Sequence, residues 1–254
     1  MIIAFANQKG GVAKTTSTHN IGVALAQKGK KVLLIDLDSQ ASLTISLGIE
    51  PLDVENNIID VLDKKKSDIR KCILNVKENL DVITSTIDLA SIEMEMLSRA
   101  SREKILDREL EPIKAEYDYI LIDCPPQLSI LTVNALSCAD GVIIPTKTDY
   151  LSYRGIELLM DTITEVKELI NPKLEIVGTI ATLYNMRSKD DNDILDGMKS
   201  VYNVLGVTKM LVGAKKGIYD GLSVVENEPN NEISIAYKNI ADMLISGKYE
   251  SEVK

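Results

Sequence analysis

The 254-residue chain carries 29 basic and 38 acidic residues, a formal net charge of −9, with 45% hydrophobic residues. That balance supplies one substantial core and excludes a protein whose whole surface attracts nucleic acid, so any contact with DNA has to be a local patch. No apolar run reaches membrane-spanning length and the first residues lack a basic segment with a cleavage site, which leads us to expect a cytoplasmic protein with one domain over residues 1–254.

In chain order, residues 1–6 (MIIAFA) are a short apolar run suited to a buried strand, and residues 15–28 carry Ile21, Val23, Ala24 and Leu25 at helical spacing. Between them lies KGGVAKTT. Residues 31–35 (KVLLI) form the next expected strand. Residues 51–79 are charged and irregular and are expected as peripheral helices and turns, with Lys64, Lys65 and Lys66 a solvated helix end. Further strands are expected at 80–83, 119–122, 141–145 and 176–181. Met94 and Met96 in SIEMEML fall on a predicted helix two residues apart, so at most one is core. Cys72, Cys124 and Cys138 are scattered, with no Cys-x-x-Cys pair, and are expected as reduced core residues. Strands alternating with helices give an α/β fold, a mostly parallel twisted sheet with helices on both faces. In such sheets ligands sit at the carboxyl ends of the strands.

The usual phosphate loop reads Gly, four residues, Gly-Lys-Ser/Thr, and here Gln8 and Ala13 stand where the two anchor glycines belong. What the chemistry requires is a run of backbone N–H groups facing an anion, a lysine for the β- and γ-phosphates, and a hydroxyl for Mg²⁺. Gly10, Gly11, Lys14 and Thr15 supply these, and the strand-loop-helix context favours a nucleotide site over a glycine-rich turn with an incidental lysine. Ala13 is expected to enter the following helix with negative φ, where alanine is tolerable. Asp123 ends the strand of YDYILIDCPP, a carboxylate at a strand tip placed to hold Mg²⁺ through water. Asp36 and Asp38 are one residue apart and lie on the same side if the strand continues, so one can orient the magnesium shell and the other position the attacking water. His19 is the only histidine and is expected as a packed or capping residue.

The ordered set NQKGGVAKTT, VLLIDLDSQAS, YDYILIDCPPQLSILTVNAL, VIIPTKTDYLSYRGIELL and VVENEPNNEISIAYKNIADML resembles the ParA/Soj partition ATPases, P-loop NTPases of the deviant Walker A group that includes MinD. The resemblance covers nearly the whole chain, with Ala13 in place of the family's usual glycine and Ser39 in place of a proline. It implies ATP and Mg²⁺ as cofactors, with residues 9–16 (Lys9, Gly10, Gly11, Val12, Ala13, Lys14, Thr15, Thr16) around the phosphates and Thr15, Asp36 and Asp123 around the metal. Lys14 would bind the phosphates of its own subunit, Lys9 would cross a homodimer interface to the partner's ATP, and Asp38 would position water. Asn185, Pro229 and Asn230 match the family's adenine pocket. Lys215 and Lys216, with Arg187 and Lys189 secondary, match its DNA-facing patch. No helix-turn-helix extension precedes the loop in this sequence, so DNA contacts are expected to be to phosphates without sequence preference.

The function this implies is an ATP-switched, DNA-binding partition protein that segregates a plasmid or chromosome origin, its slow hydrolysis stimulated by a ParB-type partner. A MinD-like membrane ATPase would need an amphipathic basic-apolar C-terminal helix, against which the polar SGKYESEVK argues. The iron proteins related to nitrogenase need cluster cysteines that Cys124 does not match. An amide ligase of this fold would need a second substrate site, and none is legible.

Overall fold

Strand β1 (Ile2–Phe5) is apolar at every position and buried on both sides, as a central strand must be. Its side chains alternate: Ile2 and Ala4 enter one core, Ile3 and Phe5 the other. The computed structural model describes residues 1–63, 68–210 and 220–249. Around β1 the described residues form a sheet of eight strands in the order β3-β4-β2-β5-β1-β6-β7-β8. These are β2 (Val32–Asp36), β3 (Ile73–Lys77), β4 (Leu80–Ile83), β5 (Tyr119–Asp123), β6 (Gly141–Lys147), β7 (Glu175–Tyr184) and β8 (Val204–Lys209). All neighbours are parallel except β3 and β4, which form an antiparallel hairpin at one edge. The mostly parallel α/β sheet read from the sequence is what the chain forms.

Two strands escape the periodicity. β3 lies inside residues 51–79, expected as helices and turns only; those residues also hold the short helix α3 (Ile58–Leu62). β8, interrupted by Gly206, forms the opposite edge. Both are edge strands with partly exposed side chains, so neither presents the continuous apolar run of a central strand.

Helix α1 (Lys14–Gln27) lies on the face of Ile3 and Phe5, with Ile21, Val23, Ala24 and Leu25 in the core as their spacing requires. Gly22 lets it approach the sheet: a Cβ there would stand 2.6 Å from Leu34 Cδ2. The short α2 (Ser42–Ser46) and, late in the chain, α9 (Val224–Asn227) and α10 (Glu232–Ser246) cover the same face. The opposite face is covered by α4 (Leu89–Met96), α5 (Ile105–Leu110), α6 (Ile130–Cys138) and α7 (Tyr150–Leu169). Helix α8 (Lys189–Val201) packs over β7 with Leu195 and Met198. Of the two methionines in α4, Met96 is buried and Met94 exposed, and the three cysteines are buried and form no disulfide. Among the described residues no helix is long and apolar enough to cross a membrane. Lys64, Lys65 and Lys66 lie outside the described residues.

Candidate functional site

The strand register brings the sequence-predicted acids to one end of the sheet. Phe5 pairs with Asp123, and Asp123 with Asp36, so the loop after β1 and the ends of β5 and β2 share one row at the carboxyl edge. Before the loop, Asn7 donates to the Pro145 carbonyl at 2.7 Å and to Thr146 Oγ1, and accepts from the Lys9 backbone N–H at 2.9 Å. The Thr182 hydroxyl donates to the Val12 carbonyl at 3.0 Å, tying the far side of the loop to β7. Gly11 has φ +70, and an added Cβ at Gly10 or Gly11 would meet nothing within 4 Å, so open space lies where an anion would approach the backbone.

The residue before Lys14 departs from expectation. Ala13 does not enter the helix with negative φ; it caps α1 in the left-handed region, φ 61 and ψ 33. Glycine takes this conformation freely, whereas a Cβ makes it costly by roughly 1 to 2 kcal/mol. The anchor glycine of the usual pattern therefore has a steric reason at this position, and alanine holds the same shape under strain.

Lys14 is 7% exposed and its Nζ donates to the Lys9 carbonyl at 3.2 Å, across the loop it closes. Burial lowers its pKa, and Asp123, Cys124 and Asp38 act against that shift. The Thr15 hydroxyl donates to Asp123 Oδ2 at 2.6 Å, and Thr18 Oγ1 lies 3.5 Å from Oδ1. Burial, together with Asp36, pushes the Asp123 carboxyl up to about 8. A buried carboxylate beside a threonine hydroxyl, short of compensating charge, suits a hard divalent cation. Among the described residues no group of three His, Cys, Asp or Glu could hold a metal by itself, so such an ion would need oxygens brought by phosphates and water.

The extended geometry that would put Asp36 and Asp38 on one side does not continue, because the strand ends at Asp36. Asp36 is buried; one oxygen accepts from the Thr44 N–H at 2.8 Å and its hydroxyl at 2.7 Å, the other from the Asp38 N–H at 3.2 Å. Burial pushes its carboxyl up to about 6. Asp38 is partly exposed and lines the cleft over Gly10, Gly11, Lys14 and Thr15. Lys9 points elsewhere: its Nζ pairs at 2.9 Å with Asp149, the N-cap of α7. Burial raises Asp149, but hydrogen bonds from Lys9 and Ser152 overcome it and hold its carboxyl down to about 2.

A second cavity, of about 220 Å³, adjoins the cleft and shares Ala13, Thr15, Thr16, Ser46 and Leu183 with it. His19, Thr208, Met210 and Tyr237 are among its other lining residues. No local motif marks these, since they come from α1, from the end of β8 and just past it, and from α10. Asn185, Pro229 and Asn230, matched to an adenine pocket, do not line it. Asn185 is exposed and caps its own turn through the Arg187 N–H, the Pro229 carbonyl accepts from Lys238, and Asn230 borders a shallower depression beside Lys209. Arg187 and Lys189 are exposed but share the start of α8 with Asp190, Asp191, Asp193 and Asp196. Lys215 and Lys216 lie outside the described residues.

A glycine-containing loop between β1 and α1, its lysine closed over it and a hydroxyl-carboxylate pair at the neighbouring strand tip, define a phosphate-loop nucleotide-binding protein. Residues 1–176 match the family model described as an AAA domain. The chain is 44% identical over 203 residues to the sporulation initiation inhibitor protein Soj of Bacillus subtilis, covering 79% of each chain. It belongs to this family, as a ParA/Soj-type member. An uncharacterized Mycobacterium tuberculosis protein is 43% identical over 195 residues, 76% of this chain but only 61% of that longer protein. Among solved structures, a putative plasmid partition protein of Borrelia burgdorferi bound to AMPPNP superposes with a TM-score of 0.82 at 29% identity, covering 97% of this chain and 98% of that one. Cobyrinic acid a,c-diamide synthase of Mycobacterium smegmatis, with ATP analogue and magnesium bound, gives 0.80 at 35% identity, covering 96% and 93%.

Proposed function

We propose that the chain is an ATP-dependent partition protein: it binds ATP with magnesium, dimerises around the nucleotide, binds DNA without sequence preference, and resets by slow hydrolysis that a ParB-type partner stimulates. The observation that carries this reading is the pair of lysines. Lys14 is folded into the loop, where it serves a phosphate of its own subunit. Lys9 is directed outward onto Asp149, a third exposed, and would have to exchange that partner for an anion brought by another molecule. An outward cation on a phosphate loop is suited to acting across an interface.

In this reading the magnesium ion would supply charge neutralisation at the transferring phosphoryl group. Thr15 and Asp123 would hold it directly or through water. Asp36 is engaged by Thr44 and by the backbone of Asp38, so its part in the metal set would be to fix the turn that carries Asp38 and to reach the ion through water. Asp38, in the cleft and partly exposed, would orient the attacking water. DNA contact would rest on Lys215 and Lys216, since the acidic start of α8 disfavours Arg187 and Lys189.

The test combines light scattering with electrophoretic shift on arbitrary-sequence duplex, with and without ATP. A dimer and a salt-sensitive shift are expected only with ATP. Lys9→Ala should leave nucleotide affinity within about threefold and abolish the dimer; a Lys9→Ala protein that still dimerises with ATP removes the trans role. The identity to the M. smegmatis synthase favours a second reading, amide formation. ATP turnover that rises with cobyrinic acid and not with DNA would establish it instead.

A further inference from the structure

His19 sits on α1 one turn after Thr15, lines the cavity beside the phosphate loop and is 3% exposed. Its ring nitrogens have different surroundings. Nδ1 lies 3.1 Å from Ser46 Oγ, and that hydroxyl also lies 2.8 Å from the Leu43 carbonyl, which can only accept. The single hydroxyl proton of Ser46 therefore goes to Leu43, its oxygen accepts from the ring, and Nδ1 carries the imidazole proton. The neutral ring then presents Nε2 as a bare acceptor. Nε2 is buried with no hydrogen-bond partner among the described residues. The nearby charges do not supply one: the three protons of Lys77 go to the two oxygens of Glu226, at 2.7 and 2.8 Å, and to the Gly221 carbonyl at 3.1 Å. Glu226 in turn accepts from the Ser223 N–H and hydroxyl. An unmet buried acceptor is disfavoured unless a ligand or water meets it.

We propose that His19 Nε2 accepts a hydrogen bond from an N–H or O–H of the nucleoside half of a bound nucleotide, and that the Nδ1 proton passes this contact to Ser46 at the end of α2. The proposal rests on the nucleotide-site reading. An occupant whose phosphates lie over Lys14 and Thr15 enters this cavity past Thr15 and Thr16, which line both spaces. The link to α2 matters because that helix is anchored by Thr44 on Asp36, the same carboxylate that holds the backbone of Asp38. His19 is thus a recognition group for the nucleoside and a positioning residue for the water-orienting turn.

The experiment is calorimetry of ATP, inosine triphosphate, 2′-deoxy-ATP and 3′-deoxy-ATP on the full chain and on H19N, H19Q and K14A, with steady-state hydrolysis alongside. Inosine triphosphate lacks the 6-amino donor, and each deoxy form lacks one hydroxyl. The wild-type chain should bind one analogue about five- to tenfold more weakly than ATP, the loss of one hydrogen bond. H19N keeps an amide N–H for Ser46 but has no acceptor where Nε2 stood, so it should lose that preference. H19Q keeps the acceptor but not the Ser46 link, so the preference should persist while kcat falls at unchanged KM. Equal binding of all four nucleotides by the wild-type chain overturns the proposal without recourse to any variant, and so does an unchanged preference in H19N. If K14A binds ATP as the wild-type chain does, the nucleotide-site reading itself fails; if K14A loses binding while H19N retains the preference, only the His19 assignment fails.

Discussion

The two halves of the candidate site are built differently. Around the phosphate loop the parts are near one another in sequence or fixed by strand register: residues 9–16 come as one run, and Asp36 and Asp123 are paired across β2 and β5. The neighbouring cavity is assembled from α1, α10 and the end of β7, with Thr208 from β8 and Met210 just past it, so its lining residues reach from Ala13 to Tyr237. Recognition of a phosphate needs backbone N–H groups and one or two fixed charges, which a single loop can provide. Recognition of a nucleoside needs a shaped, mostly apolar space with a few polar contacts, which only the finished fold provides.

This contrast is broken or sharpened by experiments of decreasing size. Lys14→Ala should weaken ATP binding by at least about a hundredfold, because the loop's other described cation, Lys9, is turned outward onto Asp149; calorimetry showing undiminished affinity would remove the phosphate side of the comparison. Asp38→Ala should leave affinity close to that of the wild-type chain and slow single-turnover hydrolysis by about a hundredfold, and normal hydrolysis would move the water-positioning role elsewhere.

A smaller effect follows from Asp123. Its carboxyl is raised from the ordinary 3.8 to about 8, so the folded, nucleotide-free protein retains a proton that the unfolded chain has released. Stability from this group is complete below pH 4 and is lost as pH rises through 8. The shift of His19, lowered by burial to about 4, has the opposite sign but is complete above about 6.5. Melting temperature of the nucleotide-free protein should therefore fall between pH 7 and 9, and Asp123→Asn should flatten that slope. A wild-type melting temperature that rises over the same interval contradicts the assignment.

The smallest change is Ala13→Gly. Relief of a left-handed alanine, offset by the greater freedom of glycine in the unfolded chain, should stabilise the protein by up to about 1 kcal/mol. Denaturant unfolding measures it directly, and a destabilised Ala13→Gly protein would show that φ at this residue is negative in solution.

The inner strands β1, β2 and β5 were legible because each is buried on both faces and therefore reads as an apolar run. Edge strands β3 and β8 were not, since half-exposed residues and Gly206 break the pattern. Lys14, Thr15 and Asp123 were legible because the chemistry demands them at fixed points of a strand-loop-helix unit. The conformation of Ala13 was not, because a helix cap can be right- or left-handed and the choice is made by how Thr182 holds the Val12 carbonyl and by how the loop closes. His19 was visible as the lone histidine, but its orphaned nitrogen depends on Ser46 lying against the other ring nitrogen and on Lys77 being engaged by Glu226 and Gly221, arrangements that only folding brings about.

The hydrogen bond from Lys14 to the Lys9 carbonyl means that the loop holds a substitute for its own ligand. An ammonium this deeply buried cannot wait unpaired, so the carbonyl oxygen occupies it as a stand-in for phosphate oxygen. Arrival of a nucleotide is then an exchange of one oxygen for another, not the ordering of a slack segment. The cradle is moulded in advance by folding, so capture should be fast and carry little conformational entropy, with affinity set by the difference between two anchors rather than by the full strength of one.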